Sequence, residues 1–155
     1  MVVLHTSCAE VYTRSWCVYE IDAATAESAG VFGATSKTFM QMSLVDAASL
    51  SVDSASAQCS QEGDAEMIRN AVLARGSFQR IDQVVYGFRL AMLLALKVRS
   101  GDIKSCQELL AAHADPNGVD ARGRTCLHAA AYNSDLGVVR LLLQHKAQCA
   151  SCDVE

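Results

Sequence analysis

Residues 120–148 read DARGRTCLHAAAYNSDLGVVRLLLQHKAQ, and this stretch decides the fold of the C-terminal third of the chain. A turn around Gly123 leads into Thr125, and a short apolar helix is predicted from Cys126 to about Tyr132. A second, amphipathic helix is predicted from Leu136 to about His145. Its apolar residues fill more than one helical face, so we expect this helix to be covered on two sides. A helix in a stack of repeats has this property, because each repeat buries its apolar face only against its neighbours.

Two motifs inside the stretch resemble a known family. The family pattern T-P-L-H-x-A-A corresponds to Thr125-Cys126-Leu127-His128-Ala129-Ala130-Ala131, and V-V-x-L-L-L corresponds to Val138-Val139-Arg140-Leu141-Leu142-Leu143. The segment therefore resembles an ankyrin repeat, a unit of about 33 residues built from a β-turn and two antiparallel helices. The resemblance implies that the Thr hydroxyl and the His imidazole hydrogen-bond to nearby backbone. The structural motif then comprises Gly123, Thr125, Leu127, His128 and Ala130.

The segment departs from the family pattern at three positions. Cys126 replaces the usual Pro, so the first helical turn loses a residue with a preset φ. Ser134 and Lys146 replace two usual glycines, one between the helices and one after the second helix. The change at Lys146 is expected to be the costlier one, since a glycine after a helix commonly adopts a left-handed cap conformation.

The same period extends in both directions along the chain. Gly101-Asp102-Ile103 falls one repeat length before Ser134-Asp135-Leu136, and Ala114-Asp115-Pro116-Asn117 matches the family's A-D-P-N turn. We therefore predict ankyrin repeats over residues 92–155, with a first repeat at 92–120, a second at 121–152 and a truncated third. Two repeats are fewer than the usual minimum of about three. The expectation is accordingly a fragment, an incomplete sequence or a diverged protein.

The N-terminal region, residues 1–60, is predicted to be a small α/β region. Val2 to His5 forms an apolar run typical of a buried parallel strand, a helix extends to about Ser28, and a second strand is predicted near residues 31–34. The run Val2-Val3-Leu4 with Ser7, Tyr12, Ser15, Trp16-Cys17 and Glu20 weakly resembles the strand and helix of Toll/interleukin-receptor (TIR) domains. In family members that cleave NAD, the helix Glu is catalytic, and Glu20 is the matching position. A solvated helix glutamate is the competing interpretation.

Residues 61–91 are predicted to be a helical connector that caps the array. Asp64 is expected to cap a helix that Gly76 stops after Arg75. A turn is predicted at residues 77–80, followed by a long helix from Ile81 to Arg99 that Gly87 weakens. Upstream, the spacing of apolar residues predicts a short helix over residues 37–46. The fold class is therefore α-rich, with an α/β N-terminal region followed by a C-terminal ankyrin array of about two repeats.

Composition narrows the functional classes. The chain has 155 residues, a formal net charge of −4 and 51% hydrophobic residues, which gives no reason to expect nucleic-acid binding. No apolar run reaches the ~18 residues of a membrane span. The seven cysteines are irregularly spaced, which favours a reduced, cytoplasmic protein. Cys149 and Cys152 have the spacing of metal ligands or of a redox pair, but no second Cys or His pair at zinc spacing accompanies them. No phosphate-binding motif is found either, so neither a metal nor a cofactor is expected.

The sequence predicts a non-enzymatic protein-interaction module with a protein partner. Ankyrin repeats bind through hairpin tips and first helices, and the variable recognition positions of the family correspond here to Ala121, Arg122, Arg124, Tyr132 and Asn133. Arg and Tyr are residue types that dominate interface energetics. The alternative function is a remnant of a TIR-like, NAD-hydrolysing domain fused to the repeats, with Glu20 as its candidate catalytic residue.

Overall fold

Helices dominate the part of the chain that the computed structural model describes, which comprises residues 2–5, 14–27, 32–35, 52–119 and 123–149. The helix predicted over residues 37–46 lies outside these ranges. Chain order within them is β1 (Val2–His5), α1 (Ser15–Ala26), β2 (Phe32–Thr35), a 3-10 turn (Ser54–Ser56), α2 (Glu62–Arg75), α3 (Phe78–Ser100), α4 (Ile103–Ala111), α5 (Cys126–Tyr132) and α6 (Leu136–Gln144).

The two strands form a short parallel pair. Val2 lies opposite Phe32 and His5 lies opposite Thr35. Parallel strands need a crossover connection, usually a helix, and α1 lies between the two strands in sequence.

The starts of α2 and α3 differ from the sequence prediction. Asp64 is not the cap of α2, because the helix begins at Glu62 after the N-cap residue Gln61. The predicted turn at residues 77–80 is also wrong, since α3 begins at Phe78. The Ser77 hydroxyl accepts a hydrogen bond from the backbone N–H of Arg80 at 3.2 Å, so a residue read as part of a turn satisfies a free donor of the first helical turn.

The predicted helix ends agree better with the structure. Gly76, with φ of 145°, follows the last residue of α2. The predicted weak point at Gly87 does not interrupt α3, which continues over 23 residues.

The chain divides into two compact units, Met1–Tyr86 and Gly87–Glu155. In the first unit, α1 packs against α2, and the core consists of aliphatic side chains of α1, α2 and the start of α3. The buried residues of this core are Val18, Ile21, Ile68, Val72, Ile81 and Val85. Asp22 of α1 is buried among them and pairs with Arg75 and Arg80.

The second unit contains the predicted helical pair. α5 packs against α6, and α4 packs against α6 as well. α5 and α6 begin at the predicted residues, Cys126 and Leu136, and the short connection between them makes the helices run antiparallel. Two helices, α5 and α4, therefore pack against α6, as expected. Leu136 and Leu143 depart from this expectation, because both side chains are exposed.

Candidate functional site

The two repeats carry matching N-terminal helix caps. Asp102 Oδ1 accepts from the backbone N–H of Ser105 at 3.1 Å, and Asp135 Oδ1 accepts from that of Val138 at 3.1 Å. The two caps lie one repeat length apart, about 33 residues. Hydrogen bonds from the Ser105 hydroxyl and backbone N–H lower the pKa of Asp102, and Lys97 adds to the effect. The cap of α4 is therefore a carboxylate that the folded state keeps ionised.

The ends of the helices repeat with the same period. Gly101 and Ser134 have φ of 71° and 55°, and His113 and Lys146 have φ of 66° and 65°. Each is followed by a residue whose N–H bonds back to a carbonyl five residues earlier, as in Ala114 N–H to Leu109 O. This is the Schellman arrangement of a helix end. The backbone thus keeps the repeat geometry at three positions where the sequence lacks glycine.

The start of α5 is fixed by the Thr–His pair of the family motif. The backbone N–H of Thr125 donates to Nδ1 of His128 at 3.1 Å, and the Thr125 hydroxyl oxygen lies 2.9 Å from the same nitrogen. Because Nδ1 accepts the backbone N–H, it carries no proton, so the hydroxyl is the donor in the second contact. Thr125 itself is buried, which places this pair in the framework rather than at a binding surface.

Two asparagines link the first repeat to the second. The Asn133 side-chain amide donates to the backbone carbonyl of Arg99 at 3.1 Å. The Asn117 carbonyl oxygen accepts from the N–H of Gln148 at 2.8 Å, and its amide donates to Lys146 O at 3.4 Å. All three bonds join turns of successive repeats, and they hold the hairpins in register.

The predicted recognition residues have different environments. Tyr132, at the end of α5, is 91% exposed, and Arg124 and Asn133 are also exposed. Asn133 has a structural contact that sequence reasoning missed, the bond to Arg99. The sequence feature that could have indicated this bond is the position of Asn133, one repeat length after the end of α3. Ala121 and Arg122 lie outside the described residues.

The buried cysteines of this unit have raised pKa values. Burial raises the pKa of Cys106 to about 11, and burial, with a contribution from Cys106, raises that of Cys126 to about 12. Both thiols are therefore protonated at neutral pH and behave as small apolar side chains. No cluster of three or more metal-ligating side chains occurs within the described residues.

Glu20, the candidate catalytic residue of the alternative function, lies on α1 and is exposed to solvent. This placement fits a solvated helix glutamate, and NAD hydrolysis stays a prediction from the weak TIR resemblance alone.

Comparison with known proteins gives one relationship. Residues 88–143 match the family model described as "Ankyrin repeats (many copies)". No match was found among curated proteins or among solved structures. Within the described ranges, none of the helices combines the length and the apolar character needed to cross a bilayer.

The matched segment includes the last part of α3, all of α4 and α5, and nearly all of α6. Its two Asp caps and its left-handed helix ends recur at the spacing of the family repeat, and the second repeat carries the Thr–His pair. Ankyrin repeats generally act as protein-interaction modules and bind protein partners. Residues 88–143 therefore match the ankyrin-repeat family.

Proposed function

We propose that the C-terminal unit is a non-enzymatic protein-binding module that contacts its partner through the hairpin tips and the first helices. The observation that carries this proposal is the exposure of Tyr132, which is 91% accessible at the end of α5. A tyrosine has a large apolar area and few rotatable bonds, so little conformational entropy is lost when a partner covers it.

Arg124, shortly before α5, and Asn133, directly after it, extend this surface. Both are exposed, and Asn133 is already oriented by its bond to the Arg99 carbonyl. A residue held in place before binding loses less freedom on association. Ala121 and Arg122 belong to the same proposed surface by their positions in the family pattern.

The expected affinity is modest. A standard protein–protein interface buries about 800 Å² on each partner, or some 20–30 residues, and the proposed surface has five. Its free energy of binding should therefore be concentrated in Tyr132, which is the only aromatic residue among the five.

A photocrosslinking experiment tests the proposal on the full chain. A benzoylphenylalanine at Tyr132 should form a discrete adduct in extract of the source cells. The same residue at Tyr86, an exposed tyrosine of the first unit, is the matched control and should form none. Tyr132→Ala should then weaken binding of the identified partner by about tenfold or more, with an unchanged melting temperature. Equal labelling at both positions, or full binding by Tyr132→Ala, would remove Tyr132 from the site.

A further inference from the structure

One exposed position recurs at the ends of α3 and α5, the first helices of the two repeats. Arg99 lies one repeat length, about 33 residues, before Tyr132, and both residues are exposed. The side-chain amide of Asn133 donates to the backbone carbonyl of Arg99 at 3.1 Å, so the two helix ends are joined directly. We call Arg99, Tyr132 and Asn133 the helix-end surface.

The exposure of this position does not depend on whether another repeat follows. The second repeat packs on the first through α6 and α4, and Arg99 is exposed although that repeat is present. Tyr132 has the same place in the second repeat, so we expect its side chain to project away from the direction of stacking as well. The helix-end surface is therefore open to a partner that contacts both repeats at once.

The charge of the helix-end surface is positive. Within the described residues, no carboxylate lies within 4.0 Å of the Arg99 guanidinium, whereas Lys97 Nζ lies 3.7 Å from Asp102 Oδ2. The carboxylates of Asp102 and Asp135 cap α4 and α6 by accepting backbone hydrogen bonds. The acidic excess of the chain lies in the first compact unit, since the second contains slightly more Lys and Arg than Asp and Glu. The guanidinium of Arg99 can thus receive a carboxylate from another molecule.

We infer that the partner binds with an acidic segment, in which one carboxylate pairs with Arg99 while a nearby apolar side chain packs on Tyr132. This inference rests on the proposed function and adds the chemistry of the partner. A guanidinium and a carboxylate form two parallel hydrogen bonds, and the tyrosine ring provides apolar contact area.

The spacing of the helices sets the spacing within the segment. Packed helices lie about 8–10 Å apart, and an extended segment rises about 3.1–3.4 Å per residue. The acidic residue and the apolar residue of the segment should therefore be about two to four positions apart.

Peptide selection on the full chain tests the acidic preference. A phage library of random dodecapeptides is selected on the immobilised chain, and the bound clones are compared with the unselected library. We expect Asp and Glu to be enriched at least about twofold, within about four positions of an aromatic or aliphatic residue.

A synthetic peptide from the strongest clone then measures the contribution of Arg99. Arg99→Ala should weaken binding of this peptide about fivefold or more, with an unchanged melting temperature because the residue is exposed. Arg140→Ala removes the same charge from an exposed position of α6 and is the matched control, which should bind the peptide as the original chain does. Arg99→Glu should lose the peptide and regain binding when lysine replaces the acidic residue of the peptide.

The selected clones also separate failure of this inference from failure of the proposed function. Clones that depend on Tyr132 but show no acidic enrichment, or that bind Arg99→Ala as tightly as the original chain, would overturn the acidic partner and leave the protein-binding function in place. Clones that bind Tyr132→Ala as tightly as the original chain would overturn both.

Discussion

At the scale of the residue, three helix ends have a conformation that their sequence disfavours. His113, Ser134 and Lys146 have positive φ, where a Cβ is too close to the following carbonyl oxygen and costs about 1–2 kcal/mol. They persist because each N–H is used in a helix-end hydrogen bond, such as Lys146 N–H to Leu143 O at 3.1 Å. The positive φ at these three residues thus reduces stability, while the helix-end hydrogen bonds keep the geometry of the repeat.

Replacing any of the three by glycine should therefore stabilise the chain. We expect Ser134→Gly and Lys146→Gly each to raise the free energy of unfolding by about 1 kcal/mol, because glycine adopts positive φ without the steric cost. Urea titration followed by circular dichroism measures the change. Gln107→Gly is the matched control, since Gln107 is exposed in the middle of α4, where glycine should cost about 1 kcal/mol instead. Destabilisation by Lys146→Gly would show that its side chain has a compensating contact.

At the scale of the element, the close contact between Gly137 and Ile103 sets the packing of α4 on α6. Gly137 lies beside Ile103 Cδ1, and Asp135 Oδ1 would be 3.3 Å from an added Cβ. The equivalent of Gly137 in the first repeat is the exposed Lys104. A glycine is thus found where a preceding helix must be accommodated, and a long cation at the equivalent, exposed position of the first repeat.

A double-mutant cycle measures the energetic coupling between Gly137 and Ile103. Gly137→Ala alone should be neutral or destabilising, because the gain in helix propensity, up to about 1 kcal/mol, is offset by contact with Ile103. In an Ile103→Ala background the same change should stabilise, with a coupling free energy of at least about 0.5 kcal/mol. Lys104→Ala serves as the control and should show no coupling to Ile103→Ala beyond experimental error. Additive effects of Gly137→Ala and Ile103→Ala would mean that α4 and α6 accommodate the added methyl group without strain.

At the scale of the whole molecule, the sequence predicted best where a pattern repeats. α5 and α6 follow from the period of apolar residues, and Thr125 and His128 from a motif with fixed offsets. The start of α3 was missed because Ser77 has the same local chemistry in a turn and at a helix cap. The exposure of Leu143 was missed because an amphipathic pattern shows which side of a helix is apolar and not whether another helix covers it.

The N-terminal unit depends on an ion pair that no sequence pattern revealed. The carboxylate of Asp22 is fully buried, whereas the side chains of Arg75 and Arg80 are 34% and 35% exposed. Arg75 Nη1 lies 3.2 Å from Asp22 Oδ2, and its guanidinium also lies over the ring of Tyr19 at 5.3 Å. One carboxylate thus joins the end of α2 and the start of α3 to α1.

The difference in burial between Asp22 and the two arginines predicts which side of the ion pair is costlier to remove. Arg75→Met with Arg80→Met should lower the free energy of unfolding by about 3–5 kcal/mol, because it leaves a buried charge without compensation. Asp22→Asn should cost clearly less, since the released guanidinium groups can reach water. Each single Arg change should cost less than half of the double change, because the other Arg remains. Fluorescence of Trp16, the single tryptophan, follows unfolding of α1 in urea. An Asp22→Asn variant as unstable as the double variant would show that the arginines, and not the carboxylate, depend on the pair.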